Sequence, residues 1–371
     1  MALGKVSVNN LNLGQGAVTE IERYFLFIGV GAKNVGQLIP LNTQSDLDVM
    51  LGIPASSLKT QVAAAKANGG DRWNCVAAPI GADDDWTVAL EKAQQQGFSV
   101  EAVVITDPVD AGADLTAMHA AAIALSNTYG RRVFVIAATA GIQAAQTWSQ
   151  YLTAQKEITA GIAAPRTLVV PLLHGNDQGV LAGRLANAAV SIADSPMRVA
   201  TGPLLSLGPT PSDSEGFPLP SAIRAELDAA RFSVSQTYPD YPGVFWGDAN
   251  MLDAPGSDFQ VVENLRLTDK AARKVRILLI QRVADRRLNN TPNSMAANTS
   301  ALMAPLRAMA KSVSFADQVF PGEIEPPKDG DIVLVWKSKT AVEAYIKLRP
   351  YNCPKDLTAN IALDLSNDAT E

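Results

Sequence analysis

Histidine sets the first limit on the chemistry open to this chain. There are two among 371 residues, His119 and His174, alongside two cysteines, Cys75 and Cys353. A Ser-His-Asp or Cys-His mechanism needs a base within hydrogen-bond reach of its nucleophile. His119 falls in an Ala-rich helical stretch. His174, in Leu-Leu-His-Gly-Asn-Asp at the end of a strand, could be such a base, but no GxSxG elbow accompanies it. Two Cys and two His so scattered make no zinc site. The cysteines form no CxxC, so a disulfide scaffold is not indicated. Hydrolysis by paired carboxylates stays open, yet nothing selects a pair. The expectation is a protein that is not an enzyme and uses no cofactor and no metal.

Two further stretches could hold a ligand. Phe27-Ile-Gly-Val-Gly-Ala-Lys-Asn-Val-Gly36 places glycines after a strand, where backbone N–H groups can cradle a phosphate. The spacing is GxGxxxxG, and Leu38-Ile-Pro-Leu41 reads as another strand, so no helix N-terminus backs the anion. A plain β-hairpin turn is the simpler reading. Asp107 and Asp110 follow the strand Val103–Thr106, at the carboxyl end where open α/β sheets place their sites. Helix capping is their ordinary role. A nucleotide-binding protein or enzyme using Gly29, Gly31 and Asp107 is kept as the alternative function.

The segment from Thr268 to Arg287 carries a different signal. Lys270, Arg273, Lys274, Arg276, Arg282, Arg286 and Arg287 face only Asp269 and Asp285, in a chain of net charge −6. Val275, Leu278 and Leu279, widened by Ile277, Ile280 and Ala284, form an apolar stripe at helical spacing. Thr268 is the expected N-cap. The cations could be a solvated face favoured by the helix dipole, or a contact for an acidic partner; nucleic acid ranks behind these, because no aromatics interleave with the arginines.

The elements that would carry these residues alternate. Strands at Asn74–Pro79, Val100–Thr106, Arg132–Ala137 and Thr167–Leu173 take turns with helices at Trp86–Gln96, Ala113–Tyr129, Thr147–Thr159 and Gly179–Ile192, the pattern of βαβ units and a largely parallel sheet. Ahead of them come strands Tyr24–Val30 and Gln37–Leu41, a helix over Asp46–Leu51 capped by Ser45, and a helix over Lys59–Lys66. After Thr201–Pro220, a stretch rich in Gly, Pro and Ser, helix Ala222–Arg231 precedes extended pieces at Phe232–Thr237, Val244–Gly247 and Asp258–Leu267. The long basic helix and one at Ser300–Val313 follow, then strands Ile332–Lys337, Val342–Leu348 and Leu357–Leu365. The last alternates strictly: Leu357, Ala359, Ile361, Leu363 and Leu365 share one face. Val6, Val8, Leu11 and Leu13 pattern a shorter stretch near the start. The fold class is therefore α/β, a largely parallel sheet flanked by helices and followed by an α+β C-terminal domain, with extended strand-like arms. The boundaries are 1–20 for the N-terminal arm, 21–260 for the α/β domain (21–70 its N-terminal β/α part), 261–355 for the C-terminal domain and 356–371 for the C-terminal arm.

A hydrophobic fraction of 47% supports a real core and excludes a disordered chain. The net charge argues against a polyanion binder. The opening Met-Ala-Leu-Gly-Lys lacks the apolar run of a signal peptide, and apolar runs fall short of membrane length, so a soluble protein made in the cytoplasm is expected.

In this order of parts the chain resembles the contractile tail sheath proteins of bacteriophages and R-type pyocins. Arg273-Lys-Val-Arg-Ile-Leu-Leu-Ile-Gln-Arg282 looks like the basic helix that opens the sheath C-terminal domain. The ending Val342–Leu348, turn, Leu357–Leu365 is similar to the family's paired closing strands, and Phe25–Val30 with Leu51-Gly-Ile53 is similar to its N-terminal region. The resemblance implies a virion structural protein, a homo-oligomer of six-membered rings stacked as a helical tube around an inner tail tube. Terminal strands would be exchanged between subunits: Val6, Val8, Leu11 and Leu13 in one arm, Leu357 to Leu365 in the other. Contraction would drive the tube through a cell envelope. The seven cations of the basic helix would touch the inner tube. Baseplate and tail terminator proteins are the further partners implied, with no nucleic acid and no membrane insertion. Many sheaths carry outer insertions; this chain is compact, and decoration domains are expected to be absent.

Overall fold

Phe25-Leu-Phe-Ile28 sends alternate side chains to opposite faces, and all four are buried, which only a strand covered on both sides allows. The computed structural model describes residues 21–315 and 318–363. Its first half runs β1 (Phe25–Val30), β2 (Ile39–Asn42), α1 (Leu47–Leu51), α2 (Ser57–Asn68), β3 (Asn74–Ile80), α3 (Trp86–Gln95), β4 (Ala102–Ile105), α4 (Gly112–Tyr129), β5 (Phe134–Thr139), α5 (Trp148–Thr159), β6 (Ala164–Pro171) and α6 (Asp177–Ala186). It continues through α7 (Ser221–Ala229), β7 (Ser235–Tyr238), β8 (Tyr241–Trp246), β9 (Met251–Leu252), α8 (Val262–Ile280), α9 (Pro292–Met309), β10 (Val313–Phe315), β11 (Gln318–Phe320), β12 (Ile332–Ser338) and β13 (Ala341–Ile346).

One sheet of order β2-β3-β1-β4-β5-β6-β9 organises the body. Its five inner strands are parallel, and its edges, β2 and β9, are antiparallel. Phe25, Phe27, Phe134, Ile136, Leu168 and Val170 pack on one face against Leu58 and Val62 of α2 and Val180 and Leu181 of α6. Leu26, Ile28, Val103 and Val135 pack on the other against Leu90 of α3, Leu115 and Met118 of α4, Tyr151 of α5 and Leu227 of α7. Helices α2 and α6 lie unusually close. A Cβ at Gly179 would sit 2.1 Å from Gln61 O, and one at Gly183 2.4 Å from Ala65 O.

The hairpin expected at 27–36 is not formed. β1 and β2 do not pair; both flank β3, with Ile39 opposite Ala77 and Phe27 also opposite Ala77. β3 takes the edge of β1 that a hairpin with β2 would use, while β4 pairs with β1 on its other side. The helix expected over Gly179–Ile192 ends at Ala186, and α1 is capped by Asp46, whose carboxylate accepts from Asp48 and Val49 N–H.

A second, smaller core forms on the C-terminal part. Leu267, Ala271 and Val275 of α8 meet Leu302, Leu306 and Met309 of α9, with Ile332 and Leu334 of β12 and Ile324 between. β12 and β13 form a two-stranded antiparallel sheet, and β10 and β11 another that the sequence pattern did not reveal.

Candidate functional site

In an open α/β sheet, ligands sit where successive connections leave the strand ends toward opposite faces. Here that point lies between β1 and β4, and the chain's own groups fill it. One oxygen of Asp107 accepts the Val30 N–H at 2.8 Å, and the other accepts the Ser57 hydroxyl. A Cβ at Gly29 would lie 1.8 Å from Thr106 Oγ1, and one at Gly31 2.5 Å from Pro79 Cβ. These glycines serve close strand packing, and Asp107 is an acceptor for internal donors. A phosphate would have to displace a carboxylate that already holds the backbone N–H it needs. Further along, the Gln178 amide donates to Ile105 O and Ile136 O, at 2.8 Å each, bridging the end of β4 to β5.

The other chemical candidates are also absorbed. His174 Nδ1 lies 2.7 Å from Asp177 Oδ1 with both side chains 2% exposed, and the second Asp177 oxygen takes the His174 N–H. This dyad holds the turn into α6. His119 Nδ1 accepts from the Arg166 N–H at 3.3 Å. Asp110 is exposed, and neither it nor Asp107 caps α4, whose N-cap is Ala111 without a side-chain bond. Among the described residues no group of three or more His, Cys, Asp or Glu could hold a metal. No helix among them is long and apolar enough to cross a membrane.

The basic helix differs from its expected bounds. α8 starts at Val262 and stops at Ile280; Thr268 lies inside it, donating its hydroxyl to Asn264 O at 3.0 Å. The reason is tertiary. Glu263, Arg266, Asp269, Lys270 and Arg273 recur at helical spacing, and Arg266, Asp269 and Arg273 face charged residues at or near the amino ends of the sheet's strands. Arg266 meets Glu101 with two bonds of 2.7 and 2.8 Å, and Asp269 meets Arg166 with two of 2.8 and 2.9 Å, with Arg132 at 3.4 Å. Arg273 reaches Glu22 at 2.8 Å and Lys270 reaches Glu323 at 2.6 Å. Burial alone would raise the Glu101 carboxyl, but the Arg266 guanidinium, its hydrogen bonds and the Arg23 N–H hold it below the usual range.

The seven cations named from sequence therefore divide. Lys270 and Arg273 are committed inside the molecule. Arg282, Arg286 and Arg287 lie past the helix end, in a turn where Ala284 takes φ 59°. Arg282 donates to Asn298 Oδ1 at 3.0 Å, and Arg287 meets Asp285, holding that carboxyl down at about 2. Arg276 and Arg286 are exposed, beside the exposed side chains of Ile280 and Val283, and Lys274 is half-buried. The Arg276 guanidinium lies over Gly130, the left-handed cap of α4, where a Cβ would come within 2.4 Å of Arg276 Nε.

The arms are reached only in part. Val6, Val8, Leu11, Leu13 and Leu365 lie outside the described residues. Leu357, Ala359, Ile361 and Leu363 are exposed, Ile361 to 95%, and Tyr351–Leu363 contains no strand. Among the described residues, Leu357–Leu363 of the expected closing strand joins no ladder, and β13 pairs with β12 alone. A residue that sequence reasoning passed over stands just before it. Lys355 Nζ lies 2.5 Å from Asp248 and 2.7 Å from Glu263. The partners of α8 had a readable signal, since Glu22, Glu101 and Arg132 each stand just before an apolar strand. Lys355 offered none.

Two family profiles, described as DUF2586, N-terminal domain and DUF2586, C-terminal domain, match residues 3–250 and 258–366. A protein assigned as a tail sheath protein of Haemophilus phage HP1 (strain HP1c1) is 44% identical over 371 residues, 98% of each chain. Among solved structures, the sheath of the extracellular contractile injection system PVC in its contracted state is similar at TM-score 0.63, with 15% identity and 98% of both chains covered. The anti-feeding prophage helical sheath, also contracted, gives 0.62 at 13% identity, covering 97% of this chain and 99% of that one. A sheath tail protein from Desulfitobacterium hafniense gives 0.55 at 11%, covering 94% and 97%.

Proposed function

Because the chain belongs to the DUF2586 family of phage tail sheath proteins, structural virion components rather than enzymes, we propose that it polymerises as a helical tube of six-membered rings around an inner tail tube by exchanging terminal strands, and contracts to drive that tube through the cell envelope. Assembly takes place in the host cytoplasm, with baseplate and tail terminator proteins at its two ends. Contraction is a two-state change in subunit packing and needs no cofactor.

One observation carries the reading. Among the described residues the β12–β13 sheet has two strands and two open edges, while Leu357 to Leu363, patterned for a sheet, pair with none of them. Open sheet edges are templates for added strands. Main-chain hydrogen bonds from a second copy's arm satisfy such an edge. Removing residues 356–371 is expected to leave a folded monomer, checked by circular dichroism and gel filtration, that does not form tubes. Normal tubes from that truncation in negative-stain micrographs would sink the strand-exchange reading.

The cations left outward, Lys274, Arg276, Arg286 and Arg287, are the contact for an acidic inner tube. Exposed ion pairs are each worth about 0–1 kcal/mol, weak enough to break as the sheath moves.

A further inference from the structure

From Tyr351 to Leu363 every residue but one is exposed, and the exception is Lys355. A lysine gives up roughly 2 kcal/mol of rotamer freedom, and hydration besides, when it is fixed against a surface. Here it is fixed between two carboxylates from different parts of the fold. Asp248 belongs to the loop between β8 and β9 and is already oriented, its Oδ1 taking the Ala249 N–H at 2.9 Å and the Ser195 hydroxyl at 3.3 Å. Glu263 stands in the first turn of α8 and is 4% exposed. Two carboxylates this close repel unless a cation lies between them. The site therefore calls for an ammonium group between the two carboxylates.

The chain upstream is also tied down. Arg349 makes two bonds to Asp331, of 2.5 and 2.6 Å, and Glu325 N–H donates to Arg349 O at 2.8 Å. The tail leaves this second core at Pro350, borders a groove of about 360 Å³ with Tyr351, Asn352 and Cys353, and reaches the α/β body at Lys355. Beyond that point nothing described holds it. The eight residues from Asp356 to Leu363 span at most about 26–29 Å when extended.

We propose that Lys355 is the positioning residue of the C-terminal arm: its ammonium, seated between Asp248 and Glu263, fixes where the arm leaves the body and joins its root to both the α/β sheet domain and α8. This rests on the strand-exchange reading of the arm, but its first test does not. Asp248 and Glu263 sit on either side of the junction between the two family domains, so a change in their relative setting pulls directly on the arm. Lys355 offers the arm to a neighbour from one defined point instead of from a loose tether, which lowers the ordering cost of pairing.

The test uses the full chain and its native thiols. Cys353 is exposed and Cys75 buried, so a nitroxide attaches at Cys353 alone. In the unassembled protein the label is expected to gain mobility in Lys355→Met and to keep its restricted line shape in Lys355→Arg. Chymotrypsin cleavage at Tyr351 should rise about tenfold in Lys355→Met, as protection from local ordering is lost. Should Lys355→Met fail to fold, Lys355→Met combined with Asp248→Asn and Glu263→Gln removes the stranded charges and gives the same readout. Tubes should then be fewer or irregular. Unchanged label mobility in a folded Lys355→Met chain overturns the proposal, as does greater mobility with normal tubes. Failure of strand exchange itself is read separately, from the truncation at 356.

Discussion

The two halves of α8 use the same residue types for opposite ends. From Glu263 to Arg273 the charges are largely buried and each meets a fixed partner: Arg266, Asp269 and Arg273 across the domain junction, Glu263 and Lys270 within the C-terminal part. From Lys274 to the turn at Arg287 they point outward or meet close partners, Asp285 in the same turn and Asn298 of α9. Composition does not separate them; what lies opposite does. Sign alternation marks the inner half, where Glu263, Arg266, Asp269 and Lys270 match partners of both signs. The outer half is almost wholly positive, fit for a surface that comes from elsewhere.

That contrast can be broken by substitution. Arg266→Ala leaves Glu101 buried without its guanidinium and should cost about 3–5 kcal/mol, read from urea or thermal unfolding. A loss under 1 kcal/mol would mean that the inner half holds nothing together. The pH dependence sharpens the point. The wild-type Glu101 pKa is lowered on folding, so its contribution is complete above the unfolded value of about 4.3 and is lost as pH falls through the folded value. In Arg266→Ala burial dominates and the folded pKa rises. Acidification from neutral pH should therefore stabilise the variant where it leaves the wild type unchanged or weakens it. Parallel stability curves for the two proteins would contradict this.

The smallest effect on stability is expected in the outer half. Charge reversal at Arg276 and Arg286, both exposed, should change unfolding free energy by less than about 0.5 kcal/mol. Assembly around the inner tube should nonetheless be lost, while free sheath tubes still form. Equal loss of both kinds of assembly would assign these arginines to folding.

Much of the body was legible in sequence, because β-branched strands alternating with helices report their own periodicity. The start of α8 was not. Asp258–Leu267 reads as extended, and its helix is selected by partners far away: Glu101 lies 165 residues from Arg266, and Arg166 103 from Asp269. The β1–β2 hairpin misled for a related reason, since adjacency in the chain suggested a pairing that β3 takes instead. The arm reads as a strand in sequence, yet its described residues form none, since alternation states that a face is to be covered and not by which molecule. The outward cations were visible as a cluster, whereas their separation from Lys270 and Arg273 needed the fold.

The edges of the large sheet have a consequence for how copies meet at all. β2 is four residues long and carries Pro40, which has no N–H to give, and β9 is two residues long. Blunt borders of this kind discourage edge-to-edge aggregation. Newly made chains crowded in one cell thus find the widest sheet poorly open to stray strands.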